Sequence, residues 1–185
     1  MDFKRADSST RIRYIWDEGV TGANKPLPYN YGNEWNWFDM DNNNCTHAPP
    51  LSICADSSHG TCVAGVAAGN GNSFANDTTG LAGKYTGAAP ESELIVVRVD
   101  VCAPNFATHI ADAVDYIFKK ADALGKPCVI NTSIGQYMGS HDGQDLTTEL
   151  IEFLLEERNG RALVAAAGNA GNTFYHLGYD IPVDS

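Results

Sequence analysis

Leu94-Ile95-Val96-Val97-Arg98-Val99 is the first of three short, mainly apolar runs that together indicate the fold class. The second run covers residues 128–134, and the third covers residues 162–167. Runs of this length and composition are typical of strands that are buried on both faces of a sheet. We therefore predict three strands in the second half of the chain.

Two segments between these runs have the pattern of amphipathic helices. From residue 110 to residue 121 apolar side chains recur at helical spacing, Asn105 or Thr108 is a candidate cap, and Gly125 follows the end. From residue 147 to residue 158 leucines collect on one face, and glutamates stand early in the segment. Alternating strands and helices imply right-handed crossovers. We therefore predict an α/β fold in three layers, built on a mostly parallel, doubly wound sheet.

The first half of the chain is less regular. Residues 11–16 alternate charged and apolar side chains before turning apolar, which predicts a strand. Residues 24–44 are rich in Asn, Pro, Gly and aromatic side chains, which predicts a loop or hairpin held by buried rings. An alternative is a binding patch for sugar or peptide, although aromatic rings in a loop more often anchor it to a core. The rings concerned are Tyr29, Tyr31, Trp35, Trp37 and Phe38.

The composition limits the classes of function. The chain has 185 residues, 43% of them hydrophobic, which suits a single folded domain. Its formal net charge of −11 argues against nucleic acid and anionic membranes as partners. No apolar run reaches the ~18–20 residues that a membrane span needs, and no apolar signal core follows Met1. Five cysteines leave at least one unpaired in a monomer.

Three segments carry candidate chemistry. His59 opens a run of small residues that predicts a closely packed helix, and an imidazole on its first turn can act as a general base near neutral pH. The other two segments, residues 131–135 and 166–172, lie at the ends of predicted strands. In a parallel sheet, chemistry collects at the carboxyl ends of the strands. Alone, His59 is more simply a surface histidine and Asn169 a turn residue, and it is their combination that indicates catalysis.

The eleven residues His-Gly-Thr-Cys-Val-Ala-Gly-Val-Ala-Ala-Gly from position 59 resemble the histidine signature of the subtilisin-like serine proteases, the subtilases. Gly87-Ala88-Ala89-Pro90, then residues 129–135 and 164–169, follow in the order of the family. The resemblance runs from about residue 11 to residue 172 and is to bacterial members. It implies a subtilisin-like fold and a serine endopeptidase that cuts peptide or protein substrates by acyl transfer.

The resemblance also implies roles for single residues. His59 corresponds to the base that takes the proton of the nucleophilic serine and passes it to the leaving amine. Asn169 corresponds to the side-chain donor of the oxyanion hole, which it forms together with a backbone amide. The residues implied to bind substrate are an edge segment and a pocket wall: Ser133, Ile134, Gly135, Ala166, Ala167 and Gly168. Small side chains in that wall suit a large apolar substrate side chain.

The other two members of the catalytic triad lack their usual contexts. The family carries its serine in a Gly-Thr-Ser motif, which these 185 residues do not contain. Asp17 is the one candidate for the triad acid, but Trp16 and Glu18 do not match the family context. We expect the true aspartate upstream of Met1. The chain is therefore interpreted as the central part of a subtilase catalytic domain, incomplete at both ends, inactive alone and prone to self-association, with residues 24–56 as a family-variable insertion.

Two interpretations compete with a protease. The first is a catalytically inactive, subtilase-like domain that binds a partner. The second is a zinc-binding module, because Cys45, His47, Cys54, His59 and Cys62 fall within a short span and four of them could bind zinc tetrahedrally. This spacing matches no standard zinc finger, and the cysteines are as well explained as small apolar side chains or, for Cys45 and Cys54, as a disulfide. His59 and Cys62 also have the spacing of a thiol and base pair on one helix face.

Cofactor and location are predicted only broadly. Asn70, Asn72, Asn76 and Asp77 offer oxygen ligands for calcium, which some subtilases bind, but such loop residues are more often turn formers. We therefore expect no cofactor. The family resemblance predicts a secreted or cell-envelope location for the full-length protein.

Overall fold

The computed structural model describes residues 2–48, 58–74, 83–135, 137 and 141–173. Five strands and four α-helices follow one another along these residues. The strands are β1 (Ile12–Asp17), β2 (Asn33–Asn36), β3 (Leu94–Arg98), β4 (Cys128–Thr132) and β5 (Arg161–Ala165). The helices are α1 (Trp37–Asp41), α2 (His59–Ala68), α3 (Phe106–Ala123) and α4 (Leu146–Glu156), with a 3-10 turn at Asn72–Phe74. The predicted strands and amphipathic helices are confirmed, while β2 and α1 lie within a segment predicted as loop or hairpin.

The described strands form two sheets. In the first, β1 lies in the middle, parallel to β3 and antiparallel to β2. In the second, β4 and β5 are parallel. The α/β class with mostly parallel strands is confirmed. The antiparallel pair arises because the chain reverses direction in the irregular segment between β1 and β2, which needs no crossover helix.

Helix α3 packs against both sheets and carries most of the core. Its buried side chains are Ala111, Ala113, Val114, Tyr116, Phe118 and Ala121. Val114 and Phe118 join Ile130 of β4 and Leu154 of α4 in one apolar cluster. Burying a side chain of this size contributes about 1.5–3 kcal/mol. Helix α3 is therefore the element that fixes the position of the strand ends on either side of it.

Aromatic side chains anchor the irregular segment before β2. Trp16 is fully buried and contacts the rings of Tyr29, Tyr31 and Tyr116, with centroid separations of 4.8–5.2 Å. The Tyr29 hydroxyl donates to Asp115 of α3 at 2.7 Å. This supports an anchoring role for Tyr29 and Tyr31 rather than a binding patch, although Trp37 and Phe38 remain exposed.

The caps at the helix ends match the sequence-based predictions only in part. Asn105 occupies the cap position of α3, as one of the two predicted alternatives, but its side chain makes no capping hydrogen bond. At α4 the cap is Asp145, which was not predicted from the sequence, and its carboxylate accepts from the backbone N–H groups of Thr147 and Thr148. Gly125 follows α3 with a φ of +66°, which fits its predicted place beyond the helix end.

Candidate functional site

The carboxyl ends of β4 and β5 bring two predicted substrate-binding segments together. Thr132 pairs with Ala165, and the Ala166 N–H donates to the Thr132 carbonyl at 3.0 Å. Residues 133–135 and 166–168 therefore leave the sheet side by side. Their separation stays small, since a Cβ added to Gly135 would lie 3.9 Å from the Cα of Gly168.

Asn169 follows directly on this second segment and is exposed. Gly168 has a φ of +89°, a conformation that side chains disfavour, and it turns the chain at the end of the segment. The Asn169 N–H donates to the hydroxyl of Tyr137 at 3.3 Å. Tyr137, which was not predicted from the sequence, thus links the loop after β4 to the loop after β5.

His59 is the first residue of α2 and is exposed. The far end of this helix is well held, because the Val66 and Ala67 carbonyls accept from Ala88 and Ala89. Among the described residues, the predicted close packing is found at this end of the helix, where a Cβ on Gly87 would lie 2.6 Å from the Ala68 nitrogen, and not at its first turn. A Cβ on Gly60 would meet nothing within 4 Å, and Val66 is 77% exposed. The imidazole thus lies on an open apolar helix surface.

Asp17, the candidate triad acid, lies at the end of β1 and is completely buried. One carboxylate oxygen accepts from Arg98 Nη1 at 2.9 Å and from the Gly19 N–H at 2.9 Å. The other lies 3.0 Å from Nε2 of His47. Burial by itself would raise the pKa of Asp17, but the hydrogen bonds from His47 and Arg98 outweigh it and lower the pKa below its ordinary value. Among the described residues, no hydrogen bond joins Asp17 to His59.

Glu18 forms a second buried acidic site beside Asp17. Its carboxylate lies 2.9 Å from Nδ1 of His109 and 3.4 Å from the hydroxyl of Tyr31. Burial raises the pKa of Glu18 to about 8, and the negative charge of Asp112 acts in the same direction. The ends of β1, β3 and α3 thus share a compact group of charges. The sequence feature that could have indicated this group of charges is Arg98, the one cation in an apolar run.

The cysteines and the proposed metal ligands are only partly described. Cys102 is disulfide-bonded, whereas Cys45, Cys62 and Cys128 are free. A disulfide of Cys45 is therefore excluded, and Cys54 lies outside the described residues. Within the described ranges, no group of three or more His, Cys, Asp or Glu side chains is arranged to hold a metal ion.

The predicted calcium loop is likewise described only at its start. Asn70 accepts from the Asn72 N–H at 3.1 Å and donates to the Lys4 carbonyl at 2.8 Å. The first bond is that of a turn-forming residue, and the second joins the turn to the segment before β1. Asn76 and Asp77 lie outside the described residues.

The profile of the subtilase family matches residues 14–182. Thermitase from Thermoactinomyces vulgaris is 31% identical over 160 residues, which are 86% of this chain and 47% of thermitase. The C5a peptidase of Streptococcus pyogenes is 29% identical over 172 residues, which are 89% of this chain and 13% of the peptidase. The structure of the Clostridium perfringens CspB protease superposes with a TM-score of 0.68 at 25% identity, covering 92% of this chain and 33% of that protease.

The chain spans less than half the length of these curated relatives. No helix in its described residues is long and apolar enough to cross a membrane.

Proposed function

Because this chain belongs to the subtilase family, we propose that it forms part of the catalytic domain of a serine endopeptidase that acts by acyl transfer. His59 is the general base, and Asn169 donates its side-chain amide to the oxyanion together with a backbone N–H. The substrate backbone lies along residues 133–135. Its side chain before the scissile bond enters the space beside residues 166–168.

The observation that carries this proposal is that the carboxyl ends of β4 and β5 lie side by side. Both predicted substrate segments begin at these strand ends, and Asn169 directly follows the second segment. An extended peptide beside residues 133–135 would thus present its carbonyl carbon near Asn169. A preorganised amide donor at this point stabilises the negative oxygen of a tetrahedral intermediate, which is commonly the largest electrostatic contribution to such catalysis.

We further propose that the nucleophilic serine and the orienting aspartate come from outside these 185 residues. A cleft of about 80 Å³ between β3 and β4 supports this part of the proposal. Val97 and Val99 line one side, Ile130 and Ile134 the other, and α3 closes the bottom. Neither strand pairs with the other among the described strands, so both offer free backbone groups to an extended segment between them. Asp17, already bonded to Arg98 and His47, is then a structural residue.

The test uses the natural protein that contains this chain, compared with the 185-residue chain alone. We expect the natural protein to hydrolyse a peptide substrate, and the chain alone to be inactive. His59→Ala should abolish turnover, and Asn169→Ala should lower kcat by about 10²–10³-fold. Asn172→Ala, in the same exposed loop, is the matched control and should keep full activity. Hydrolysis by the chain alone, lost in His59→Ala, would refute the proposed division of residues.

The second candidate function is an inactive subtilase-like domain that binds peptides. The observation in its favour is that His59 is exposed and makes no hydrogen bond to a carboxylate among the described residues. Under this alternative, the natural protein binds peptide along residues 133–135 but leaves it uncut. Calorimetric titration with a peptide, followed by mass spectrometry of the same sample, separates the two functions.

Location and association complete the proposal. The Cys102 disulfide supports a secreted or cell-envelope location, because disulfides persist mainly in oxidising compartments. The edges of β3 and β4 that have no partner among the described strands, together with the exposed apolar surface of α2, support self-association of the isolated chain. Residues 24–56 are proposed as a variable insertion. No cofactor is needed, since the acyl-transfer chemistry uses side chains and backbone amides alone.

A further inference from the structure

We propose that Tyr137 limits the substrate pocket and selects peptides with a small side chain, such as alanine, immediately before the scissile bond. This inference rests on the proposed function, because it assigns the substrate class of the same site. It also reverses the sequence-based expectation that the small residues of the pocket wall admit a large apolar side chain.

The first observation is how little space separates the two walls. Residues 133–135 and 166–168 leave β4 and β5 as direct neighbours. A Cβ on Gly135 would already make ordinary van der Waals contact with the Cα of Gly168, at 3.9 Å. A large substrate side chain therefore has to extend past the glycines, and Tyr137 lies beside Gly168 in this space.

The second observation is that the Tyr137 ring already occupies this direction. Its hydroxyl accepts from the Asn169 N–H, as described above. A Cβ on Gly168 would lie 2.6 Å from that hydroxyl oxygen and 3.3 Å from the adjoining ring carbon. The phenol thus reaches from the loop after β4 to the backbone of the opposite wall. Close packing leaves no room for a second ring in the same space.

The remaining surface of Tyr137 fits a small side chain. The residue is 41% exposed, so one part of the ring contacts the wall and another part remains accessible. A methyl group can lie against that accessible surface, while a benzyl group requires the ring to move and the Asn169 hydrogen bond to break. Because Asn169 is the proposed oxyanion donor, the cost of such a movement falls on catalysis as well as on binding.

The test compares two peptides that differ only in the residue before the scissile bond, alanine or phenylalanine, with the natural protein that contains this chain. We expect kcat/KM for the alanine peptide to exceed that for the phenylalanine peptide by at least about tenfold. In Tyr137→Ala this ratio should fall by about tenfold or more, because the space is opened. Tyr137→Phe is the matched comparison, since it keeps the ring but removes the hydroxyl that bonds to Asn169; it should keep a preference for alanine, smaller than that of the wild type but larger than that of Tyr137→Ala.

Product peptides ending in alanine or phenylalanine give a second readout that needs no cleavage, and thermal melts of each variant verify folding. An unchanged ratio in Tyr137→Ala, or a wild-type preference for phenylalanine, would overturn the assignment of Tyr137. Failure to cut either peptide would instead refute the proposed protease, while the binding ratio would still decide the role of Tyr137. Should Tyr137→Ala fail to fold, Tyr137→Leu supplies the smaller side chain for the same comparison.

Discussion

Replacing Glu18 with glutamine should remove a large part of the loss of stability that this protein suffers as the pH rises. The Glu18 side chain is 0% exposed and lies 2.9 Å from His109. Burial first, and then the neighbouring charge of Asp112, raise its pKa to about 8, from an ordinary value of 4.5. The folded protein therefore holds a proton on this site over a pH range in which the unfolded chain has released it.

The size of the effect follows from this difference in pKa. Each pKa unit corresponds to 1.36 kcal/mol, so the interval from 4.5 to about 8 corresponds to roughly 5 kcal/mol. The stabilisation is fully present below pH 4.5, declines as the pH rises, and is lost above about pH 8. Glutamine has nearly the same shape and stays neutral throughout. The difference in free energy of unfolding between wild type and Glu18→Gln should thus change by roughly 5 kcal/mol across this pH window, with the wild type becoming relatively less stable at high pH.

The assay is urea unfolding at several pH values between 4 and 9, followed by tryptophan fluorescence. Trp16 is buried close to this site and reports its loss directly. Taking the difference between the two proteins cancels titrations that they share. Glu152→Gln, an exposed position on α4, controls for the removal of one carboxylate. A difference between wild type and Glu18→Gln that stays constant from pH 4.5 to pH 8 would refute the reasoning.

Two further outcomes are expected. Arg98→Met removes a cation that lies 2.9 Å from the fully buried Asp17. It should lower the free energy of unfolding by about 3–5 kcal/mol, measured by urea unfolding at pH 7. A loss below about 1 kcal/mol would show that His47 and Gly19 suffice to stabilise the Asp17 carboxylate. Asp145→Ala removes the N-cap of α4 and should lower the free energy of unfolding by about 1 kcal/mol. Asp145→Asn can still cap the helix and should lower it clearly less. Equal losses of stability in the two variants would contradict the capping role.

The regular part of the fold was predictable because its side chains repeat. Strands β3, β4 and β5 stand out as short apolar runs, and α3 shows helical spacing, so local pattern and final burial agree. The irregular segment was harder. Strand β2 and helix α1 are short, and their places depend on pairing with β1 and on the capping box of Asn36 and Asp39.

In the candidate site, too, some residues could be predicted from the sequence and others could not. His59, Asn169 and the two substrate segments could be selected from motifs, because a motif fixes residue types at fixed spacing. The partners of Asp17 and Glu18 could not, since His47, Arg98 and His109 come from distant positions that only the fold brings together. Tyr137 was not predicted for a similar reason. Its hydroxyl contacts the backbone N–H of Asn169, and a pattern of side chains in the sequence does not show such a contact.

The two sheets also differ in how far along the chain their partners lie. Strands β4 and β5 are joined by α4 and pair Cys128 with Arg161, while β1 must find β3 across a much longer stretch, pairing Ile12 with Leu94. Closing a longer loop costs more entropy before any contact repays it, and local contacts speed folding. The β4-α4-β5 unit is thus suited to form early and to offer α3 a docking surface. The wall that carries Asn169 would be shaped before the sheet that holds Asp17 is complete.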